Sequence, residues 1–290
     1  MKEYQGAVFF VDILGVGALT QGHIKIKDED FLAHNIGNTI SKSEHVFCAK
    51  LLMKFRRILN NVMQNNNVNV AQLSDCAFIW SDNPDLVLDS AREIMWKTTS
   101  RGILCRGGIA YGEIVEPDSV NIKLGEFICG KAVTKAVKLE GTGKGARVFV
   151  DDEISCRTSS HIQVQAEAFR QSINPLDFSF VDEFMWALYP HKLTTTPAIN
   201  SQDSKERLKK ILALISLLRF SPKYRWNACS GEGRLQIAST IDAISSITTK
   251  LQNKFDYKLN CNAIIDGLDT RDYQKYIKLK SKYLKEISSI

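Results

Sequence analysis

Two aspartates in this sequence stand where predicted strands end. Asp12 directly follows the apolar run 7–11, and Asp75 lies in a tight turn between the predicted strands 68–73 and 76–80. Both carboxylates would therefore leave a sheet at its surface. Two carboxylates and a triphosphate can hold the paired Mg²⁺ ions that stabilise the attacking and leaving oxygens of an in-line phosphoryl transfer. An aspartate after a strand is also an ordinary turn residue, so it is the pair that predicts this chemistry.

The elements that would position the two aspartates alternate between strands and helices. Strands are predicted at 7–13, 68–73, 76–80, 104–111, near 126–129 and at 147–150, and helices at 45–64, 84–100 and 131–139. The glycine-bearing loop 15–17 and the polar stretch that runs to Glu44 are interpreted as an irregular insertion. The order is βαββαβ with extra strands, which predicts an α+β, ferredoxin-like sheet with its helices on one face.

Beyond Asp151 the pattern becomes mainly helical. A strand is predicted at 178–184, and helices are predicted at 204–220, 235–251 and 271–287. The polar stretch 194–203, which contains a proline, is the best candidate for a linker. We therefore predict a catalytic domain over residues 1–195 and a helical C-terminal extension over 196–290.

Composition limits the classes of protein to consider. The 290 residues are 44% apolar and 24% charged, enough to bury a full core, and 38 basic against 32 acidic residues give a formal charge of +6. That charge suits an anionic nucleotide without requiring a nucleic acid. Seven cysteines without a Cys-x-x-Cys pair indicate reduced thiols, and no signal peptide or membrane-length apolar stretch is evident. We expect a cytoplasmic protein with no membrane insertion and no nucleic-acid partner.

Four short motifs resemble the catalytic domain of class III nucleotidyl cyclases, and they come in that family's order. They are Phe10-Val11-Asp12-Ile13-Leu14-Gly15, Leu73-Ser74-Asp75-Cys76, Arg106-Gly107-Gly108-Ile109-Ala110-Tyr111-Gly112, and Gly130-Lys131-Ala132-Val133-Thr134 running to Leu139-Glu140. No single motif is specific. Their order on the predicted βαββαβ framework extends the resemblance to residues from about 6 to 155, about half of the chain.

The resemblance implies a role for each matching residue. Asp12 and Asp75 would be the metal aspartates for two Mg²⁺ or Mn²⁺ ions, and Ile13 would lend a backbone carbonyl. The amides of Leu14, Gly15, Val16 and Gly17 would cradle the phosphates, as successive N–H groups in a turn do for anions. Arg106 could reach phosphate or base, although a local salt bridge is the simpler role for an arginine on a strand.

The departures from the family pattern concern the base and the transition state. The two positions at which purine cyclases read the base are Ala71 and Phe127 here, and neither side chain can form the hydrogen bonds that identify a purine. The helix that usually carries Asn and then Arg carries Thr134 and Lys138. Spacing of four keeps both on one helix face, and lysine supplies positive charge without the planar fork of arginine.

This combination resembles the bacterial pyrimidine cyclases of Pycsar antiphage defence. That resemblance implies conversion of UTP, or alternatively CTP, to the cyclic monophosphate and pyrophosphate, with cyclic UMP activating a separate effector protein. It also implies a homodimer whose sites lie at the interface, with the aspartates from one subunit and Lys138 from the other.

Other functions stay open. A purine cyclase is the nearest alternative to a pyrimidine cyclase. A diguanylate synthase would carry a Gly-Gly-Asp/Glu-Glu-Phe hairpin where this chain has Leu73-Ser74-Asp75-Cys76, and a silent nucleotide-binding module would have lost a metal aspartate. The five histidines show no zinc-ligand spacing.

Overall fold

A computed structural model of the chain describes residues 1–37, 41–118, 126–158, 168–173, 178–193 and 201–251, together with residue 281. Seven strands form one sheet in the order β2-β3-β1-β4-β5-β7-β6. They are β1 (Lys2–Ile13), β2 (Asn69–Leu73), β3 (Cys76–Ser81), β4 (Cys105–Glu116), β5 (Val148–Val150), β6 (Phe169–Ile173) and β7 (Phe180–Phe184). All neighbouring strands are antiparallel except β4 and β5, which are parallel.

The described helices lie between the strands and after them. They are α1 (Val16–Thr20), α2 (Asp28–Ala33), α3 (Glu44–Asn66), α4 (Pro84–Ser100), α5 (Lys131–Glu140), α6 (Asp152–Arg157), α7 (Ser201–Phe220), α8 (Arg225–Ala228) and α9 (Gly231–Leu251). Short 3₁₀ turns occur at Trp186–Leu188 and Pro222–Tyr224. The hairpin, α4 and α5 follow the predicted pattern within one or two residues.

The core of the sheet has the strand order of a ferredoxin-like fold. The chain runs β1-α3-β2-β3-α4-β4, and the four strands lie in the order β2-β3-β1-β4. The predicted α+β class, with a ferredoxin-like βαββαβ core and a helical C-terminal part, is therefore confirmed.

The prediction that all helices lie on one face of the sheet is wrong. Side chains of β1 alternate between the two faces, as the period of a strand requires. Phe9 and Val11 join the main core with α3 and α4, whereas Val8 packs on the other face with Ala132 and Ala136 of α5. Alanines at these positions let α5 approach the sheet closely, so both faces of β1 are buried.

Two local predictions also need correction. The stretch interpreted as an irregular insertion contains α1 and α2, because Leu19, Ile24 and Phe31 are buried in the main core. Residues 126–128 do not form a strand; only Cys129 pairs with Val115, in an isolated bridge.

The C-terminal extension packs on the catalytic part through α7 and α9. The helices predicted at 204–220 and 235–251 are confirmed as α7 and α9, each beginning a few residues earlier. Residues 201–203 of the predicted linker belong to α7, whereas the domain boundary at 195/196 and the helix predicted at 271–287 lie outside the described residues. None of the described helices is long and apolar enough to cross a membrane.

Candidate active site

Asp12 and Asp75 lie next to each other at one end of the central strands. Asp12 pairs with Cys76 of β3 and with Arg106 of β4 in the sheet register. The amide of Ile13 donates to the carbonyl oxygen of Asp75 at 3.1 Å, which ties the hairpin turn to the end of β1. The turn is possible because Ser74 adopts a left-handed conformation, with φ of 56°. The sheet itself therefore holds the two carboxylates together.

The electrostatics of this pair favour a cation. The pKa of Asp12 is raised to about 7, mainly by burial and then by the negative charges of Asp75 and Glu140, against the opposing effect of Arg106. A carboxylate that is costly to ionise beside a second carboxylate gains from a bound positive charge. The site thus has an excess of negative charge that a bound divalent cation would neutralise.

A cavity of about 240 Å³ opens onto both aspartates. Of the residues predicted for the site, it is lined by Asp12, Ile13, Leu14, Gly15, Gly17, Asp75 and Arg106. Val16 is buried in the core beside it and does not line it. Seven of the predicted residues are thereby brought to one place.

The donor set at this cavity fits Mg²⁺ or Mn²⁺. Among the described residues, no three side chains of His, Cys, Asp or Glu gather in a way that could hold a metal ion. Side-chain ligation would therefore come from Asp12 and Asp75 alone, with the remaining positions left to the carbonyl of Ile13, water and substrate. Mg²⁺ is usually bound in this manner, by one or two carboxylates plus substrate phosphates.

The predicted phosphate cradle is shorter than expected. The amide of Leu14 donates to the carbonyl of Leu104 at 2.9 Å, so the sheet already uses it. Gly15 adopts φ of 92° and leads into α1, whose first amides have no acceptor within the helix. Gly15, Val16 and Gly17 are therefore the residues of this loop whose amides remain for an anion.

Arg106 forms the local salt bridge that its position on a strand indicated. Its guanidinium bonds the Glu140 carboxylate and the carbonyl of Gly143, both at 2.6 Å. These bonds hold the glycine-rich turn after α5, residues 141–145, against the cavity. Lys144 on that turn lines the cavity and pairs with Glu232 at 3.4 Å. The sequence carries no signal for Lys144, because a glycine-rich turn after a helix is ordinary and this one lacks a P-loop pattern.

The other wall of the cavity comes from the C-terminal extension, which sequence reasoning also missed. Asn227, Ser230, Glu232, Gly233 and Gln236 line it from α8 and the start of α9.

Hydrogen bonds fix this wall to the glycine-rich turn. The amide of Gly145 donates to Oε1 of Gln236 at 2.5 Å, and the amide of Ala146 donates to Oγ1 of Thr240 at 2.8 Å. On the other side, a Cβ on Gly15 would meet the ring of Trp226 at 3.2 Å. No signal in the sequence relates residues so distant along the chain.

Four predicted residues lie away from the aspartates. Ala71 lines a separate pocket beside α3, and Phe127, which is 56% exposed, lines another with Trp80. Thr134 and Lys138 are exposed on α5 and do not line the cavity. Within one chain, the predicted base-reading and transition-state positions are thus separated from the predicted metal site.

Comparison with known proteins gives matches among solved structures alone: no family model and no curated protein matches the chain. The guanylyl cyclase Cya2 is 12% identical, with 63% of this chain and 91% of that chain covered at a TM-score of 0.46. The guanylate cyclase domain of RhGC from Catenaria anguillulae, in complex with GTP, is 15% identical, with 63% and 97% covered at 0.43. The adenylyl cyclase CyaB from P. aeruginosa is 12% identical, with 63% and 96% covered at 0.41. The activity of this chain therefore has to be inferred from its own residues.

Proposed function

We propose that this chain is a nucleotide cyclase that converts a pyrimidine nucleoside triphosphate, UTP in the first place, to the 3′,5′-cyclic monophosphate and pyrophosphate. One observation carries the proposal. Asp12, Asp75, the glycine loop that begins α1 and the Arg106-braced turn surround a single cavity. Three of the four ordered sequence motifs support it, since they supply Asp12 and Gly15, Asp75, and Arg106.

The residues of the cavity have distinct tasks in this reaction. The ribose 3′-oxygen attacks the α-phosphorus, the bond to pyrophosphate breaks in line, and the hydroxyl proton leaves to solvent. Asp12 and Asp75 would hold Mg²⁺ or Mn²⁺, which lowers the pKa of the hydroxyl and takes up charge on the leaving group. The amides of Gly15–Gly17 and the ammonium group of Lys144 would bind the triphosphate.

A homodimer would complete the site. Thr134 and Lys138 share an exposed helix face, and Ala71 and Phe127 also lie away from the aspartates of their own chain. A second subunit related by two-fold symmetry would present these residues to the first subunit's cavity. Lys138 would then stabilise the charge that develops between the α- and β-phosphates.

The preference for a pyrimidine rests on Ala71 and Phe127. A purine-reading site needs a donor or acceptor at these positions, because an unpaired base edge loses discrimination. Neither side chain provides one, so a purine substrate would gain nothing from them.

Incubation of the purified chain with each of ATP, GTP, CTP and UTP in Mg²⁺ or Mn²⁺, with products resolved by mass spectrometry, tests the proposal. Cyclic UMP is the expected product. Cyclic CMP would keep the mechanism and change the base, and cyclic AMP or GMP would overturn the pyrimidine assignment. Absence of any cyclic product under all conditions would contradict a cyclase that is active by itself.

The cyclic product would act as a diffusible signal for a separate effector protein in antiphage defence. We expect the chain to reduce phage yield only when that effector is present in the same cell. Asp75→Asn should remove the protection without lowering the amount of protein. Protection by the Asp75→Asn variant would show that catalysis is not involved.

A further inference from the structure

A second cavity in the described part of the chain is separate from the candidate active site. It has a volume of about 550 Å³ and shares none of its lining residues with the cavity at the aspartates. Four cationic side chains line it, from α3, from the residue after α4 and from the 3₁₀ turn before α8. They are Lys54, Arg57, Arg101 and Lys223, and His34 and two asparagines complete the lining. We call it the basic cavity.

The positive charge in the basic cavity is not neutralised by neighbouring acids. No carboxylate lines it, and none of its four cations forms an ion pair among the described residues. The nearby carboxylates of Glu29 and Asp30 pair with a cation outside the cavity, since Arg225 lies 2.9 Å from Glu29 and 3.2 Å from Asp30. Burial lowers the pKa of Lys54, and the charges of the other three cations lower it further. The cavity therefore concentrates positive charge at an energetic cost.

The walls of the basic cavity are held in place by packing between distant parts of the chain. Nε2 of His34 bonds the carbonyl of Lys223 at 2.9 Å, and Lys54 donates to the carbonyl of His34. Gly102 adopts φ of 81°, and a Cβ there would lie 2.6 Å from Cβ of Lys223 and 3.0 Å from the His34 ring. The absence of a side chain at Gly102 lets these groups approach each other, so the cavity is formed before any ligand arrives.

One polar atom in the cavity wall has no partner. His34 is buried to 1% exposure, and its Nδ1 makes no hydrogen bond to any described residue. Burial and the charges of Lys54 and Lys223 lower the pKa of this imidazole to about 4, against the raising effect of the bond to the Lys223 carbonyl. With Nε2 donating to the Lys223 carbonyl and the ring neutral, Nδ1 is an acceptor, so this buried atom calls for a donor such as a water molecule rather than for a phosphate oxygen.

We propose that the basic cavity binds a small ligand that carries two or more linked phosphate groups. Guanidinium groups match phosphate oxygens in pairs, and lysines add point charges, so Arg57, Arg101, Lys54 and Lys223 together suit a polyphosphate. The volume lies within the range of small-molecule sites. A single phosphate would leave most of the charge unpaired, and a nucleic acid would call for an extended basic stripe rather than four cations around one cavity.

Such a ligand would join two parts of the chain. Lys54, Arg57 and Arg101 belong to the catalytic part, whereas Lys223 belongs to the extension, in the 3₁₀ turn between α7 and α8. Binding would therefore stabilise the docking of the extension, whose residues in α8 and at the start of α9 form a wall of the candidate active site. The proposal does not depend on which reaction that site performs.

Calorimetric titration of the full chain with inorganic tripolyphosphate tests this inference. Metal-free buffer with EDTA is used, so that metal-dependent binding at the aspartates is suppressed. Adjacent arginines of α3 provide a matched pair, because both are exposed but only Arg57 lines the basic cavity. We expect Arg57→Gln to weaken binding at least about fivefold and Arg56→Gln to leave it unchanged, since a charge-assisted phosphate contact is lost only in the first.

Further titrations, with another variant and with other ligands, show whether the heat of binding comes from the basic cavity. Asp75→Asn should bind tripolyphosphate as the unmodified chain does, and orthophosphate should bind at least about tenfold more weakly than tripolyphosphate, since it meets fewer cations. The proposal is overturned if tripolyphosphate does not bind, if both arginine variants lose binding equally, or if Asp75→Asn abolishes it. Equal affinity for orthophosphate, or displacement of tripolyphosphate by single-stranded RNA at similar phosphate concentration, would also contradict it.

Discussion

Individual side chains at the candidate active site have unequal importance, and Asp75 has the least replaceable role. It lies in a two-residue turn, and its own carbonyl oxygen accepts a hydrogen bond from the amide of Ile13. Replacement by asparagine keeps the size and the turn but removes the charge that would hold a divalent cation. The backbone hydrogen bond does not depend on that charge.

We expect Asp75→Asn to lower turnover by at least about a hundredfold, because a metal ligand is lost. The thermal unfolding midpoint should stay close to that of the unmodified chain. Asp82→Asn is the matched control, since Asp82 is an exposed aspartate just after the opposite end of β3. Retained activity in Asp75→Asn, measured by cyclic nucleotide formation, would contradict the assignment of Asp75 as a ligand of the two metal ions.

Lys144 is the site residue whose role the structure adds. Its ammonium group lines the cavity and is paired with the partly exposed Glu232, a partner that a triphosphate could displace. We expect Lys144→Gln to raise KM for the triphosphate about tenfold with a smaller effect on kcat, since a charge-assisted phosphate contact is lost. Steady-state kinetics provide the measurement.

The control for Lys144 is Lys42→Gln, which breaks an exposed ion pair with Asp28 that lies outside the cavity. Its KM should match that of the unmodified chain. An unchanged KM in Lys144→Gln would remove this lysine from the substrate site.

Among the elements, α9 depends on its close contact with the glycine-rich turn after α5. Gly145 adopts φ of 88°, and a Cβ there would lie 2.7 Å from the amide nitrogen of Thr240 in α9. Gly22 also has positive φ, 73°, but a Cβ there would meet nothing within 4 Å. The two glycines therefore share backbone strain and differ in packing.

We expect Gly22→Ala to cost about 1–2 kcal/mol of unfolding free energy, from left-handed strain alone. Gly145→Ala should cost about 1–3 kcal/mol more, because overpacking is added to the strain. Urea unfolding of both variants gives the comparison. Equal losses would show that α9 does not pack on this turn in solution.

A second element-scale feature is the ion cluster between β5, β6 and β7. Glu183 is 4% exposed, and its two carboxylate oxygens accept bonds from Nε and Nη2 of Arg147 at 2.9 and 2.7 Å and from Arg170 at 2.5 Å. Burial would raise the pKa of Glu183, but the two guanidinium groups outweigh it and lower the pKa to about 2.

This lowered pKa makes the stability of the fold depend on pH in one direction. The pKa of Glu183 in the folded chain is below its ordinary value of 4.5. Its contribution to the free energy of unfolding is therefore fully present above about pH 4.5 and is lost as pH falls toward about 2. We expect Glu183→Gln to cost about 3–5 kcal/mol at pH 7, because the buried Arg147 and the partly buried Arg170 lose their carboxylate partner. The cost should be smaller at pH 3.5, as urea unfolding at the two pH values would show. Glu3→Gln, at an exposed position, should cost little at either pH, and a pH-independent cost for Glu183→Gln would contradict the assignment.

Sequence periodicity predicted the elements that are regular and strongly apolar. The hairpin around Asp75, α4 and α5 were predicted well because turn residues and apolar spacing are local signals. The helices α1 and α2 were missed because they span only five and six residues, too few for a helical period to show. The helix α5 was assigned to the wrong face because the alternation of side chains along β1 does not indicate which helix packs on which face.

Contacts between distant residues explain what else was missed. The basic residues near Lys54 appeared scattered along the sequence, yet the fold gathers Lys54, Arg101 and Lys223 around one cavity. The same is true of Lys144 and Gln236 at the candidate active site. The aspartate pair was predictable because each member follows a recognisable strand. The functional roles of the site residues remain predictions.

On the scale of the whole molecule, the separation of Lys138 from Asp75 has a testable consequence for assembly. If the site forms between two subunits, a heterodimer of Asp75→Asn and Lys138→Ala chains contains one site with both changes and one site with neither. Equimolar mixing of the two inactive variants, with subunit exchange, should then restore about a quarter of the unmodified activity, since half of the dimers would be mixed.

The controls for this mixing experiment are each variant alone at the same total concentration and a mixture of Asp75→Asn with Asp12→Asn. Both changes in that mixture affect the same half of the site, so no intact site can form. Failure of the first mixture to recover activity, in spite of exchange shown by mass spectrometry, would place the whole reaction within one chain.

Trp226 gives the molecule an internal optical reporter. Its indole is fully buried, stands edge-on to Phe47 at 6.0 Å and lies against Gly15, at the start of the loop that would bind phosphates. Indole emission responds to small changes in its surroundings, so a shift of that loop would alter the fluorescence of this residue. With the other three tryptophans replaced by phenylalanine, the occupancy of the candidate active site could be followed in solution without a labelled nucleotide.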